Sequence, residues 1–136
     1  LDICYWAKQG EGAFKDGQNL PLKTEDQCNT YKIVASRSHM SDETQAFINA
    51  IETNKEKELI SIGSSLKICL VAEGEADIYP RLGPTMEWDT AAAHAVINES
   101  NGSIVKSGMN EQINYNSKQS LVNSFFFVYL NKRELL

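Results

Sequence analysis

The chain has 136 residues, 42% hydrophobic and 23% charged, with a formal net charge of −5. That size fits one domain whose core needs neither disulfides nor a structural metal, and its negative sign excludes wholesale binding to a nucleic-acid backbone, where Lys and Arg must replace counterions. Cys4, Cys28 and Cys69 form no C-x-x-C pair and no apolar run approaches membrane-spanning length, so the composition excludes a disulfide scaffold, a Cys-based zinc site and a transmembrane segment, and predicts reduced thiols in a cytoplasmic protein.

In chain order, residues 2–7 alternate weakly and are rich in β-formers, which predicts a strand that Gly10 and Gly12 end. Ala13-Phe14-Lys15 reads as a short second strand and Asp16-Gly17 as a hairpin-type turn. Residues 18–31 are polar and irregular and predict an exposed connection, followed by a short apolar strand from Lys32 to Ala35. Ser41-Asp42 supplies a helix N-cap, with Phe47, Ile48 and Ile51 on one face of the helix that follows. Glu58 to Ile62 reads as a strand, Gly63-Ser64-Ser65 as a turn and Leu66 to Glu73 as a mostly apolar helix. That order aims backbone N–H groups at an anion. Ala76 to Tyr79 is a further strand and Gly83-Pro84 a loop. Asp89 is predicted to cap an Ala-rich helix reaching about Asn101, with Gly102 as its left-handed stop. Beyond Ser103 come a short strand, an Asn/Ser-rich loop and the strand-like run Phe125 to Leu130. Strands alternating with helices predict an α/β domain, a largely parallel sheet flanked by helices.

Four segments could carry chemistry. Ser36-Arg37-Ser38-His39 directly follows a predicted strand, where ligands bind in α/β sheets. In Gly63-Ser64-Ser65-Leu66-Lys67, glycine permits close backbone approach, serine offers a hydroxyl, and Lys67 lies about one turn beyond Ser64, so both can face one ligand. The segment is not a Walker A loop. Arg81 in Tyr79-Pro80-Arg81 could grip a phosphate with two parallel hydrogen bonds. Asp89, in Trp88-Asp89-Thr90-Ala91-Ala92-Ala93-His94, is a hard oxygen ligand suited to Mg²⁺. Each has an ordinary alternative: capping serines, a capped helix start, a solvated arginine, an acidic N-cap. His94 has no second His or Cys at metal-ligand spacing and reads as a packed histidine. The residues by themselves lead as far as an α/β domain with a candidate anion site.

Taken together, the segments resemble one family. Trp88-Asp89-Thr90-Ala91-Ala92 is similar to the second signature of the inositol-monophosphatase-like, lithium-sensitive phosphatases. Three further stretches sharpen the resemblance to the bacterial CysQ-type 3'(2'),5'-bisphosphate nucleotidases: Ile62 to Lys67, Cys69 to Gly74, and Tyr79 to Thr85, with Ser36 to His39 upstream. The resemblance implies the fold of that family's C-terminal domain across residues 1–136, and an enzyme that removes the 3'-phosphate of adenosine 3',5'-bisphosphate, giving AMP and phosphate. It also implies action on the sulfated analogue, service to sulfate assimilation, a magnesium requirement and inhibition by lithium. The implied place is the cytoplasm, with peripheral attachment to the inner membrane left open. Carried over by position, Asp89 is the metal ligand, and Ser36, His39, Gly63, Ser64, Lys67 and Arg81 line the nucleotide site. The family's acidic first signature and an upstream Glu are missing. The opening residues lack a starting Met and read as mid-strand, so the chain is expected to be a C-terminal piece that needs an N-terminal domain for activity. An inositol or sugar monophosphatase of the same superfamily is the alternative within enzymes, and a non-catalytic nucleotide-binding module the alternative outside them.

Overall fold

The computed structural model describes residues 2–23, 29–36 and 40–130. Cys28 and the segment holding Arg37, Ser38 and His39 lie outside the described residues.

The chain opens with a three-stranded antiparallel sheet of β1 (Tyr5–Lys8), β2 (Gly12–Lys15) and β3 (Gln18–Asn19). Asp16 at φ 49° and Gly17 at φ 83° make the β2–β3 turn, the left-handed pair that matches the twist of a hairpin. Trp6 stacks on Phe14 across the sheet with ring centroids 4.0 Å apart. Residues 18–31 are not one exposed connection: β3 pairs with β2, Leu20 is buried, and the next strand already starts at Thr30. The polar composition concealed β3 because it pairs along an open edge, where its side chains stay exposed.

The main sheet has five strands in the order β5-β4-β6-β8-β7. They are β4 (Thr30–Ala35), β5 (Glu56–Ser61), β6 (Ile78–Arg81), β7 (Gly102–Lys106) and β8 (Phe126–Leu130). β4 runs parallel to β5 and to β6, as the alternation of strands and helices predicts. β8 returns antiparallel to both β6 and β7, which makes the sheet mixed. No helix separates β7 from β8, and a strand reached without a crossover has to come back antiparallel.

Side chains alternate between the two faces of this sheet. Tyr31, Ile33, Ile78 and Phe127 face α1 (Asp42–Ala50), where Phe47 stacks on Phe127 at 4.6 Å between centroids. Val34, Tyr79, Phe126 and Val128 face α2 (Leu66–Ala72) and α3 (Glu87–Glu99), and Ala13 and Leu20 of the small sheet join this larger core. Ser41 caps α1 as expected, its Oγ accepting from Thr44 N at 3.2 Å. The small sheet is tied down by Glu73, 1% exposed, whose carboxylate accepts from Lys15 Nζ at 2.5 Å and from the Tyr5 hydroxyl at 3.2 Å. Glu73 pushes the Lys15 ammonium above its ordinary value.

Two helix ends differ from expectation. Asp89 is not the N-cap of α3; Met86 is, and Asp89 stands three residues inside. Gly102 does not stop the helix in the left-handed region. Asn101 does, at φ 63°, while Gly102 opens β7, where a Cβ would meet Ile97 Cδ1 and the Tyr129 carbonyl oxygen at 2.6 Å. Among the described residues no helix is long and apolar enough to cross a membrane.

Candidate active site

The parallel trio β5-β4-β6 sets three strand ends side by side, because parallel strands all finish on one edge. Ser36 follows β4, Gly63-Ser64-Ser65 follows β5 and Arg81 closes β6. The first turn of α3 comes up against the same edge. Between them opens a cavity of about 420 Å³ lined by Ser36, Ser64, Lys67, Arg81 and Asp89, with Ser65, Tyr79, Thr85, Trp88 and Thr90 completing its polar and aromatic wall. Five of the residues singled out in the sequence thus meet at one place. Gly63 does not line the cavity, and the space a Cβ would fill there is open. His39 lies outside the described residues.

Ser64 adopts φ 66°, a left-handed backbone unusual for serine. Ser65 is the residue before α2 yet makes no side-chain cap bond, so neither hydroxyl is used to cap the helix. They lie 3.5 Å from each other on the cavity wall.

Lys67 is 6% exposed. Its ammonium donates to the Ile62 carbonyl at 3.3 Å and lies 5.5 Å from the centre of the Tyr79 ring. Burial pushes it below the ordinary lysine value, and the nearby Arg81 guanidinium adds to that shift. The Tyr79 phenol is pushed up to about 12, mainly by burial. Arg81 donates from Nη2 to the Pro84 carbonyl at 2.8 Å, while its Nε is buried without a partner among the described residues. Two cations therefore share one wall of an otherwise acidic protein, one of them with an unused donor. Such a wall favours an anion with several oxygens.

In the same cavity, the Asp89 carboxylate accepts from the Met86 amide at 2.8 Å, and the Asp89 amide donates to the Met86 carbonyl at 2.9 Å. This reciprocal pair fixes the carboxylate to the start of α3, where the helix dipole favours negative charge. Among the described residues, the cavity atoms that could ligate a cation are oxygens, one carboxylate and several hydroxyls, a set suited to a hard cation. Among the described residues no group of three or more His, Cys, Asp and Glu could hold a metal.

Thr85, Trp88 and Thr90 are absent from the expected set. Trp88 stands 65% exposed at the cavity lip, and Thr90 is 2% exposed beneath it. The tryptophan-aspartate segment was the available signal for Trp88 and Thr90, and the Tyr79 to Thr85 stretch for Thr85. Tyr115 and Asn123, which support that segment from the far loop, had none.

A mixed sheet whose parallel strand ends gather serines, two cations and a helix-borne carboxylate defines an α/β fold with a polar cavity at the carboxyl ends of its strands. The chain belongs to the inositol monophosphatase family, whose model it matches over residues 1–134. It is similar to the 3'(2'),5'-bisphosphate nucleotidase CysQ of Escherichia coli strain K12, with 44% identity over 130 residues that make up 94% of this chain and 50% of that protein. The CysQ of Salmonella typhimurium is 38% identical over the same shares. The crystal structure of CysQ from Bacteroides thetaiotaomicron superposes with a TM-score of 0.85 at 39% identity, covering 93% of this chain and 53% of that one. The chain spans about half the length of the curated relatives it matches.

Proposed function

We propose that the whole protein containing this chain hydrolyses the 3'-phosphate of adenosine 3',5'-bisphosphate with magnesium, and that this chain is the C-terminal half of its catalytic unit. The observation that carries the reading is the convergence of Ser36, Ser64, Lys67, Arg81 and Asp89 on one cavity, in a chain 38% to 44% identical to proteins named as bisphosphate nucleotidases. Two buried or half-buried cations suit a substrate with two phosphates. Lys67 and Arg81 meet phosphate charge. Ser36 and Ser64 donate hydroxyls, while Gly63, also in the carried-over set, starts the turn that presents Ser64 to the cavity. His39 completes the nucleotide site in the carried-over set.

Asp89 would hold Mg²⁺, which when bound supplies Lewis-acid activation of the phosphoryl group. One carboxylate is too few for that ion, so the remaining ligands belong to the N-terminal half, and the isolated chain is inactive. The same reading brings lithium sensitivity, a role in sulfate assimilation, action on the sulfated analogue and a cytoplasmic setting, at the inner membrane if peripheral. An inositol or sugar monophosphatase is the competing activity. Phosphate release by the full-length protein with magnesium, from adenosine 3',5'-bisphosphate with inositol monophosphate as competitor, separates them. Preference for inositol monophosphate would overturn the nucleotidase reading.

A further inference from the structure

The loop between β7 and β8 runs back over the start of α3 and pairs with it as a strand would. Met86 and Val122 form an antiparallel bridge. Glu87 N donates to Leu121 O at 2.9 Å, and Asn123 N to Thr85 O at 2.8 Å. Inside this bridge lies the Asn123 side chain, 5% exposed. Its Nδ2 faces three acceptors: Thr85 Oγ1 at 3.1 Å, the Met86 carbonyl at 3.0 Å and Thr90 Oγ1 at 3.1 Å. A carbonyl only accepts, so the amide orientation is fixed. It leaves Asn123 Oδ1 buried without a partner among the described residues. A buried acceptor is given up so that the donor can reach the helix start.

Met86 is also the residue that holds Asp89. Its amide donates to the Asp89 carboxylate and its carbonyl accepts from the Asp89 amide, so Asn123 and Asp89 grip the same carbonyl oxygen. Tyr115 reinforces the arrangement one turn on. Thr90 Oγ1 donates to the Glu87 carbonyl at 3.2 Å and accepts from the Tyr115 hydroxyl at 3.2 Å. With that proton spent, the Tyr115 oxygen accepts from His94 Nδ1 at 2.8 Å.

We infer that Asn123 is a positioning residue: it clamps the backbone on the carbonyl side of Met86, whose amide holds the Asp89 carboxylate, so that the carboxylate stands at a fixed place in the cavity. The inference rests on Asp89 acting as a metal ligand, as proposed above. Asn123 reaches the metal only through Met86 and Asp89, and outer partners of this kind set the affinity of the ligand they orient.

The test uses full-length protein and Mn²⁺ as the probe ion, followed by electron paramagnetic resonance so that no turnover is needed. Asn123→Ala should weaken Mn²⁺ binding about tenfold, while kcat at saturating metal falls less. Asn123→Asp keeps the shape and keeps the variant informative if the alanine protein fails to fold. Its carboxyl donates to Met86 O only when protonated, so its Mn²⁺ defect relative to wild type should grow as pH rises. Unchanged Mn²⁺ affinity in the folded variants, with only the thermal midpoint lowered, overturns the clamp. Wild-type protein that binds Mn²⁺ and shows the Asn123 effect, yet leaves adenosine 3',5'-bisphosphate intact, overturns the nucleotidase reading and keeps the clamp. Wild-type protein with no Mn²⁺ affinity overturns both.

Discussion

Replacing Lys67 with Met tests whether the cavity reads two phosphates. The side chain is 6% exposed, and Met keeps most of its apolar stem against the Tyr79 ring while deleting the ammonium. Among the described residues one hydrogen bond is lost, to the Ile62 carbonyl at 3.3 Å. A charge-assisted contact to a substrate phosphate is worth about 1.5–3 kcal/mol, so kcat/KM on adenosine 3',5'-bisphosphate should fall roughly ten- to a hundredfold. On adenosine 3'-monophosphate, which lacks the second phosphate, the loss should be much smaller. Stability moves the other way. Burial lowers the Lys67 value in the folded state, so below that value the folded protein carries a charge it solvates poorly. The unfolded chain binds more protons between the depressed value and the ordinary one of 10.5, and wild-type stability therefore rises with pH across that window. Lys67→Met removes the penalty, so its thermal midpoint at neutral pH should match or exceed that of the wild type. The assay compares both substrates with both full-length proteins. Equal losses on the two nucleotides would refute the reading of a second phosphate, and a lowered midpoint would make Lys67 a structural cation.

Asp89→Asn keeps the oxygen that accepts from Met86 N and loses the charge, so the full-length variant should fold normally and lose most activity, checked by turnover at limiting magnesium. The isolated chain should release no phosphate from adenosine 3',5'-bisphosphate; magnesium-dependent, lithium-sensitive release from a preparation free of other phosphatases would show that one carboxylate suffices. The Cys69 thiol is pushed up to about 11, chiefly by burial. At pH 8 iodoacetamide should therefore label exposed Cys4 and spare Cys69 until the chain is unfolded, as read by peptide mass. Lys15→Met leaves the buried Glu73 carboxylate, among the described residues, with the Tyr5 hydroxyl alone and should cost about 3 kcal/mol in urea unfolding. The pair's contribution in the wild type is complete below the ordinary lysine value and lost as pH rises through the elevated one, so the two proteins should converge in strong alkali.

Where a structural choice was local, the sequence carried it. Ser41 caps α1 through a bond three residues long, and Asp16-Gly17 turns the hairpin because two adjacent residues accept a left-handed backbone. The gathering of Ser36, Ser64, Lys67, Arg81 and Asp89 was anticipated from the resemblance together with the rule that parallel strand ends make ligand sites. The errors arose where neighbours in sequence were not the deciding neighbours in space. Asp89 resembles an N-cap, yet the bridge to Val122 starts the helix at Glu87 and moves Asp89 one turn in. Gly102 resembles a helix stop, but the cramped space beside Ile97 and Tyr129 is what requires glycine, and Asn101 makes the turn. Asn123 sits in a polar loop where no pattern marks it, and its meaning depends on partners more than thirty residues away.

The position of β8 bears on how the molecule is made. During synthesis β6 and β7 leave the ribosome before the strand that will lie between them exists. Until residues 126–130 follow, each presents an unpaired row of backbone amides and carbonyls beside the large core. The sheet therefore closes late and across a long loop, a non-local step that slows folding. Partly finished chains need protection from strand pairing with one another, and a stop codon between β7 and β8 would remove not an edge but the seam.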